Sequence, residues 1–354
     1  MFSSRTPADL ALNPLAAAVR AVRSGGRTFI DLTESNPTRA AFDYPADLLA
    51  PLGDARGLRN APSPLGMLEA RAAVAADYAR QGLLVPPARI VLDASTSDGY
   101  SLLFKLLAGA GDEVLVPRPS YPLFDHLTQL DLVVARHYDL DIHGDWSIDF
   151  ASLEHAITVR TRAVLLVSPN NPTGSFVSAA ELDRLAAICA PRDIAIIADE
   201  VFAGYELEPG AAAGAGRVAA RRDVLSFSLG GLSKSAGLPQ VKLGWIAVGG
   251  PDRLATAALE RLELICDTYL AVSTPVQLAA AELLERGAVV RSQISTRIVA
   301  NYLTVRQMAA GAPSCRVLRS DGGWYSVLQV PSLEPEEDLA LRLLGDGVLT
   351  HPGY

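Results

Sequence analysis

Only three lysines, Lys105, Lys234 and Lys242, stand among the 31 basic residues of this 354-residue chain. Any chemistry that needs a primary amine has three candidates. Lys234 closes Gly230-Gly231-Leu232-Ser233-Lys234, directly after the apolar run VLSFSL. A lysine there can condense with a carbonyl compound once its amine is deprotonated. Other apolar runs end in complementary groups. IAIIA is followed by Asp199-Glu200, and AVLLV by Ser168-Pro169-Asn170-Asn171-Pro172-Thr173-Gly174. DEVLVP runs into Arg118-Pro119-Ser120-Tyr121, and RIVLDA into Ser95-Thr96-Ser97. A carboxylate can keep a pyridine nitrogen protonated, so that the ring draws electrons. A flat side chain can cover a ring face, and an Asn can donate to a ring oxygen. Hydroxyl residues at a helix start suit a phosphate, because backbone N–H groups and the helix dipole point there. The parts are those that a phosphorylated pyridine aldehyde requires. None is specific alone; the ordered set is.

These groups need a scaffold that gathers strand ends. Short continuous apolar runs such as AVLLV and IAIIA indicate strands buried on both faces. They alternate with helical patterns: residues 13–23, the Ala-rich amphipathic stretch 66–81, SDGYSLLFKLLAGA, FASLEHAI, SAAELDRLAAICA, and the chain from about Pro251 onward. Further strands are expected at DLVVARHYDL and VKLGWIAVGG. Such alternation predicts βαβ units and an α/β fold, a mostly parallel sheet with helices on both faces. In open sheets of this kind ligands sit beyond the carboxyl ends of the strands, where the five motifs fall. Lys105 lies inside an apolar helix and is expected to extend its amine to solvent.

Composition removes several alternatives. The net charge is −8, and no Lys/Arg cluster offers a surface for nucleic acid or anionic membrane. Cys189, Cys266 and Cys315 are far apart, without a CxxC pair, and are expected to be buried thiols. The five His residues show no metal-ligand spacing, so no metal site is expected. GAGRVA at 214–219 mimics a dinucleotide fingerprint, but no strand precedes it. There is no charged-then-apolar leader pattern, and no run reaches the ~18 apolar residues of a membrane span. The expectation is a cytoplasmic protein with small-molecule partners.

The order NNPTG, then DEVF, then Ser233-Lys234 with a basic residue eight positions later resembles the class I/II aminotransferases, which are pyridoxal-phosphate enzymes of fold type I. The resemblance runs from DLTESNPT, starting at Asp31, to His351-Pro352-Gly353. It implies a three-layer fold with a large cofactor-binding domain over 46–285 and a smaller α+β domain combining 1–45 with 286–354. It implies that Lys234 forms the Schiff base with pyridoxal 5'-phosphate and shuttles the proton, and that Asp199 pairs with the pyridinium nitrogen. By the same resemblance Asn171 donates to the ring oxygen, Tyr121 stacks on the ring, Ser95, Thr96 and Ser97 hold the phosphate, and Lys242 takes a phosphate-binding position usually held by Arg. Phe202 stands beside the ring where many relatives carry Tyr, so one hydrogen bond to the cofactor is lost. Asn36, with Asn171, is implied in substrate binding, and the loop Gly323-Trp324-Tyr325 can contribute to the choice of substrate. The implied reaction moves an amino group between an amino acid and a 2-oxo acid in a homodimer. A β-lyase or decarboxylase of the same fold, or a catalytically impaired cofactor-binding homologue, are the alternatives. The latter is motivated by Phe202, by Asn60 or Ala61 where relatives have a Tyr, and by the C-terminus. Relatives continue beyond HPGY with a segment that carries a carboxylate-binding Arg, and that segment is expected to be lacking here.

Overall fold

The computed structural model describes residues 2–7, 9–269 and 272–353. A two-residue strand, β1 (Ile30–Asp31), precedes the main sheet. The sheet strands are β2 (Ile90–Asp93), β3 (Glu113–Arg118), β4 (Val134–His143), β5 (Asp145–Ile148), β6 (Thr161–Val167), β7 (Ala195–Asp199), β8 (Ser226–Gly231) and β9 (Gly244–Gly249). They lie in the order β2-β9-β8-β7-β6-β3-β4-β5. Strands β8, β7, β6, β3 and β4 pair in parallel, while β9 and β5 run against their neighbours. The sheet is thus mostly parallel, as expected. The antiparallel β5 is not legible in the sequence pattern. It exists because Gly144, at φ +98°, folds the edge back on itself, a backbone that favours glycine.

Side-chain parity explains the double-sided burial. On β6 and β7, Ala163, Leu165, Val167, Ala195 and Ile197 pack with α3 (Thr96–Leu107), α4 (Phe124–Leu130) and α8 (Asp252–Tyr269). The alternate residues Val164, Leu166, Ile196 and Ala198 pack against α5 (Phe150–Ala156) and α6 (Ala179–Cys189). On that second side, α2 (Leu68–Arg80) and α9 (Thr274–Arg286) cover β2 and β9 through Ile90, Leu92, Trp245 and Ala247. Two helices begin with strong stop signals for the preceding chain. Ser178 and Glu181 form a reciprocal capping box on α6, and Pro275 opens the first turn of α9, where its missing N–H costs nothing.

The chain ends meet. β1 pairs in parallel with β12 (Val348–Leu349), and β10 (Arg316–Val317) pairs antiparallel with β11 (Leu328–Gln329). Helix α10 (Ala288–Ala310) leads from the large sheet toward these pairs. Lys105 reaches off its helix to an ion pair with Asp131 at 2.6 Å. Cys189 and Cys266 are buried, but Cys315 is only half-buried, because it sits in the short turn between α10 and β10 rather than under the sheet.

One buried acid ties three elements together at the foot of α3. Asp93, the last residue of β2, is fully buried, and neither carboxyl oxygen has a hydrogen-bond partner among the described residues. Burial holds its carboxyl well above the usual range, with the nearby Asp98 charge adding to the effect. A Cβ on Gly99 would fall 2.6 Å from its Oδ2, and one on Gly244 would overlap its Oδ1 and approach the Ser95 backbone at 3.1 Å. The carboxyl occupies space that the two glycines leave open. Gly244→Ala is therefore expected to cost roughly 1–3 kcal/mol, the range for overpacking a filled core. Denaturant unfolding checks it; a midpoint within error of the parent would show that Asp93 can move.

Candidate active site

Five loops at the carboxyl ends of β2, β3, β6, β7 and β8 carry the residues singled out in the sequence. Ser95 is extended and caps α3, its Oγ accepting from Asp98 N at 3.3 Å. Thr96 and Ser97 open the first turn, with Ser97 exposed. Asp98 Oδ2 accepts from Ala94 N at 3.2 Å and so closes the turn from below. The dipole of this 12-residue helix and its free N–H groups therefore face outward beside three hydroxyls, a cup suited to phosphate. Lys242 lies on the loop entering β9, in left-handed backbone at φ +61°. Its side chain is exposed and close enough to Asp93 to act on that carboxyl, which places its charge near the cup.

Asp199 shares the parity of Ile197 and therefore faces α3. Its Oδ1 accepts from Val201 N at 3.1 Å and its Oδ2 from the Tyr100 hydroxyl at 3.2 Å. Burial pushes its pKa up to about 6 against these bonds. Tyr100 is a partner that sequence reasoning missed, although it lies one turn after Thr96 on the buried side of α3. Tyr121 is half-buried, and its ring meets Phe124 edge-on at 5.8 Å. The Asn pair divides its work. Asn170 is buried and donates through Nδ2 to Pro119 O at 3.1 Å and Thr173 Oγ1 at 3.0 Å, fixing the loop. Asn171, half-buried beside it, is not engaged in that network.

Lys234 sits in the one-turn helix α7 (Leu232–Ser235). The Tyr205 hydroxyl donates to its carbonyl, and Arg291 Nη1 donates to Ser235 O at 3.1 Å. The amine itself faces rings: Nζ is 4.7 Å from the Trp324 centroid and 5.4 Å from that of Phe202. Burial lowers its pKa from the ordinary lysine value, opposed by the charge of Asp199. Trp324, expected only as part of a loop beside the substrate, thus lies against the lysine itself. Asn36 stays local: its Oδ1 accepts from Thr38 N and Oγ1 at 3.0 and 2.8 Å, and none of these bonds reaches Lys234. Glu200 points through the opposite face, where Arg217, Ser228 and Val218 N satisfy it. There it lines a cavity of about 240 Å³ away from Asp199. Among the described residues no group of His, Cys, Asp and Glu could hold a metal ion.

The donor set fits pyridoxal phosphate. A desolvated amine can be neutral and reactive, a buried carboxyl waits for a cationic partner, and a helix N-terminus with hydroxyls lies at the third corner. A family model for class I and II aminotransferases matches residues 27–354. The glutamate-pyruvate aminotransferase AlaA of Escherichia coli is 28% identical over 271 residues, covering 75% of this chain and 65% of that protein. The alanine aminotransferase of Mycobacterium tuberculosis is 30% identical over 262 residues, covering 71% of this chain. This chain thus spans 65% and 59% of the length of these relatives. Among solved structures, alanine aminotransferase from Pyrococcus furiosus superposes with a TM-score of 0.85 at 22% identity, over 99% of this chain and 90% of that one. Aspartate aminotransferase from Thermus thermophilus with maleate gives 0.81 at 22% identity, over 100% and 91%. These likenesses support fold type I.

Asp199 gives this site a signature in the cofactor-free chain. Its native pKa of about 6 exceeds the ordinary 3.8, so the native state holds the proton longer than the unfolded state. Stability from this group is present below pH 3.8 and is lost as pH rises through 6, by about 3 kcal/mol. Asp199→Asn should remove that loss. Unfolding of both chains by denaturant at several pH values checks it, and parallel pH profiles would refute it.

Proposed function

Because this chain belongs to the class I and II aminotransferase family, we propose that it moves an amino group between an amino acid and a 2-oxo acid with pyridoxal phosphate. The observation that carries the reading is the convergence of Lys234 and Asp199, from the ends of adjacent strands β8 and β7, with α3, whose Tyr100 bonds Asp199. The cofactor, when bound, supplies an aldehyde carbon that links to amines and a ring that accepts electrons from the substrate carbon. Asp199, oriented by Tyr100 and Val201 N, would pair with the protonated ring nitrogen. Asn171 would donate to the ring oxygen, Tyr121 would cover one face, and Phe202 would pack beside the ring without adding a hydrogen bond. Ser95, Thr96 and Ser97 with the α3 N–H groups, and Lys242, would hold the phosphate. The Lys234 amine, its pKa lowered by burial, would take the proton from the substrate α-carbon and return it to the carbon that the cofactor's aldehyde supplies.

The names of the relatives support a small aliphatic amino acid such as alanine, with pyruvate as its oxo acid, as the first pair to test. We assign Asn171, with Asn36, to the substrate side. The meeting of β1 with β12 supports a division into a large domain over 46–285 and a small one built from 1–45 and 286–354. A homodimer in the cytoplasm fits this reading. No described helix is long and apolar enough to cross a membrane.

An absorbance spectrum of the chain with pyridoxal phosphate, before and after alanine, tests the reading. A visible band that bleaches as pyruvate forms is the expected result; release of ammonia or carbon dioxide instead would identify a lyase or decarboxylase. Lys234→Ala should abolish the band, since neither Lys105 nor Lys242 can take its place. Asp199→Ala should lower kcat roughly 100- to 1000-fold, the usual effect of deleting one preorganised electrostatic partner. Near-normal turnover would refute its role.

A further inference from the structure

We propose that Trp324, together with Phe202, is a positioning residue for the Lys234 amine, its ring face holding the ammonium by cation–π attraction in place of an oxygen acceptor. Nζ lies 4.7 Å and 5.4 Å from the two ring centroids, inside the range at which a ring quadrupole attracts a cation. The rings are themselves locked. Trp324 meets Phe202 edge-on at 5.2 Å and Tyr205 at 5.2 Å, and Tyr325 closes on Phe202 at 6.2 Å. The Trp324 indole N–H is buried without a partner among the described residues. This orientation leaves a donor unsatisfied while turning the ring toward Lys234.

The arrangement has a chemical consequence. A carboxylate or phenol oxygen would fix one N–H of the ammonium and resist giving up its proton. A ring face attracts the charge without fixing one N–H in a directed bond, so the amine is held in place while it can still turn about its last carbon–nitrogen bond. The other polar groups around the lysine act elsewhere. Asp199 contributes charge from β7, the Tyr205 hydroxyl is committed to the Lys234 carbonyl, Arg291 on α10 to Ser235 O, and Tyr121 and Tyr325 flank the site. The catalytic meaning rests on the proposed role of Lys234, but the amine's environment does not.

The test therefore reads the amine directly. The 354-residue chain, with no cofactor added, is reductively methylated with formaldehyde and cyanoborohydride across a pH series, and Lys234 is quantified by mass spectrometry, with Lys105 and Lys242 as internal references. Trp324→Leu keeps an apolar wall but removes the quadrupole, and should lower the pH of half-reaction by about half to one unit. Trp324→Phe retains a ring and should stay near the parent. Phe202→Leu provides a second arm and should shift in the same direction by less. Coincident curves for the Leu and Phe variants at 324, or an upward shift in either Leu variant, would overturn the proposal. Because no cofactor is present, that outcome is independent of whether the chain binds pyridoxal phosphate.

Discussion

The site depends on one carboxylate being kept in a place where it would rather be neutral. Asp199 ends a strand whose side chains alternate between two dry layers, so parity alone decides that it faces α3 and that Glu200 faces the other layer. A carboxylate buried this way loses hydration worth several kcal/mol, and the two donors it has, Tyr100 and Val201 N, do not restore an ordinary pKa. A cationic ring nitrogen would. The cost of burying the acid would thus favour a protonated ring beside it, and the sheet enforces that burial.

The same logic separates Asp199 from its neighbour. Glu200 is equally buried but has Arg217 at 2.9 Å, Ser228 at 2.8 Å and a backbone N–H. It is a satisfied structural pair that ties the second side of the sheet together. Two acids adjacent in sequence thus have opposite fates because successive strand residues point to opposite faces. A satisfied acid has no need of a ligand; an underserved one does.

Much of this is legible in the amino-acid order alone. Continuous apolar runs imply the buried strands, strand ends imply the site, and five motifs at those ends imply its chemistry. What the order does not show is contact across long separations. Tyr100 meets Asp199 across 99 positions, and Trp324 meets Lys234 across 90; neither residue carries a local pattern. The choice between Asn170 and Asn171 turns on which one the Pro119 carbonyl happens to reach. Strand β5 escapes because a hairpin at a sheet edge needs only a glycine and four residues. Asn36 is the opposite case: a motif that fits the family resemblance, yet whose carboxamide oxygen serves its own turn.

The loss of a hydroxyl at position 202 looks like damage when judged by motif, because a phenol that could donate to the ring is absent. The packing around that position argues the reverse. A phenol beside Phe202's present neighbours, Trp324 and Tyr325, would bring an oxygen into a nest of ring edges and a desolvated amine, and an acceptor there would fix the amine by a directed hydrogen bond. Phe202 keeps the volume, removes the acceptor and leaves a face for the cation. The substitution and the Trp324 contact are therefore one arrangement, in which the lysine is steered by aromatic surfaces and by the distant charge of Asp199 rather than by a hydrogen bond of its own.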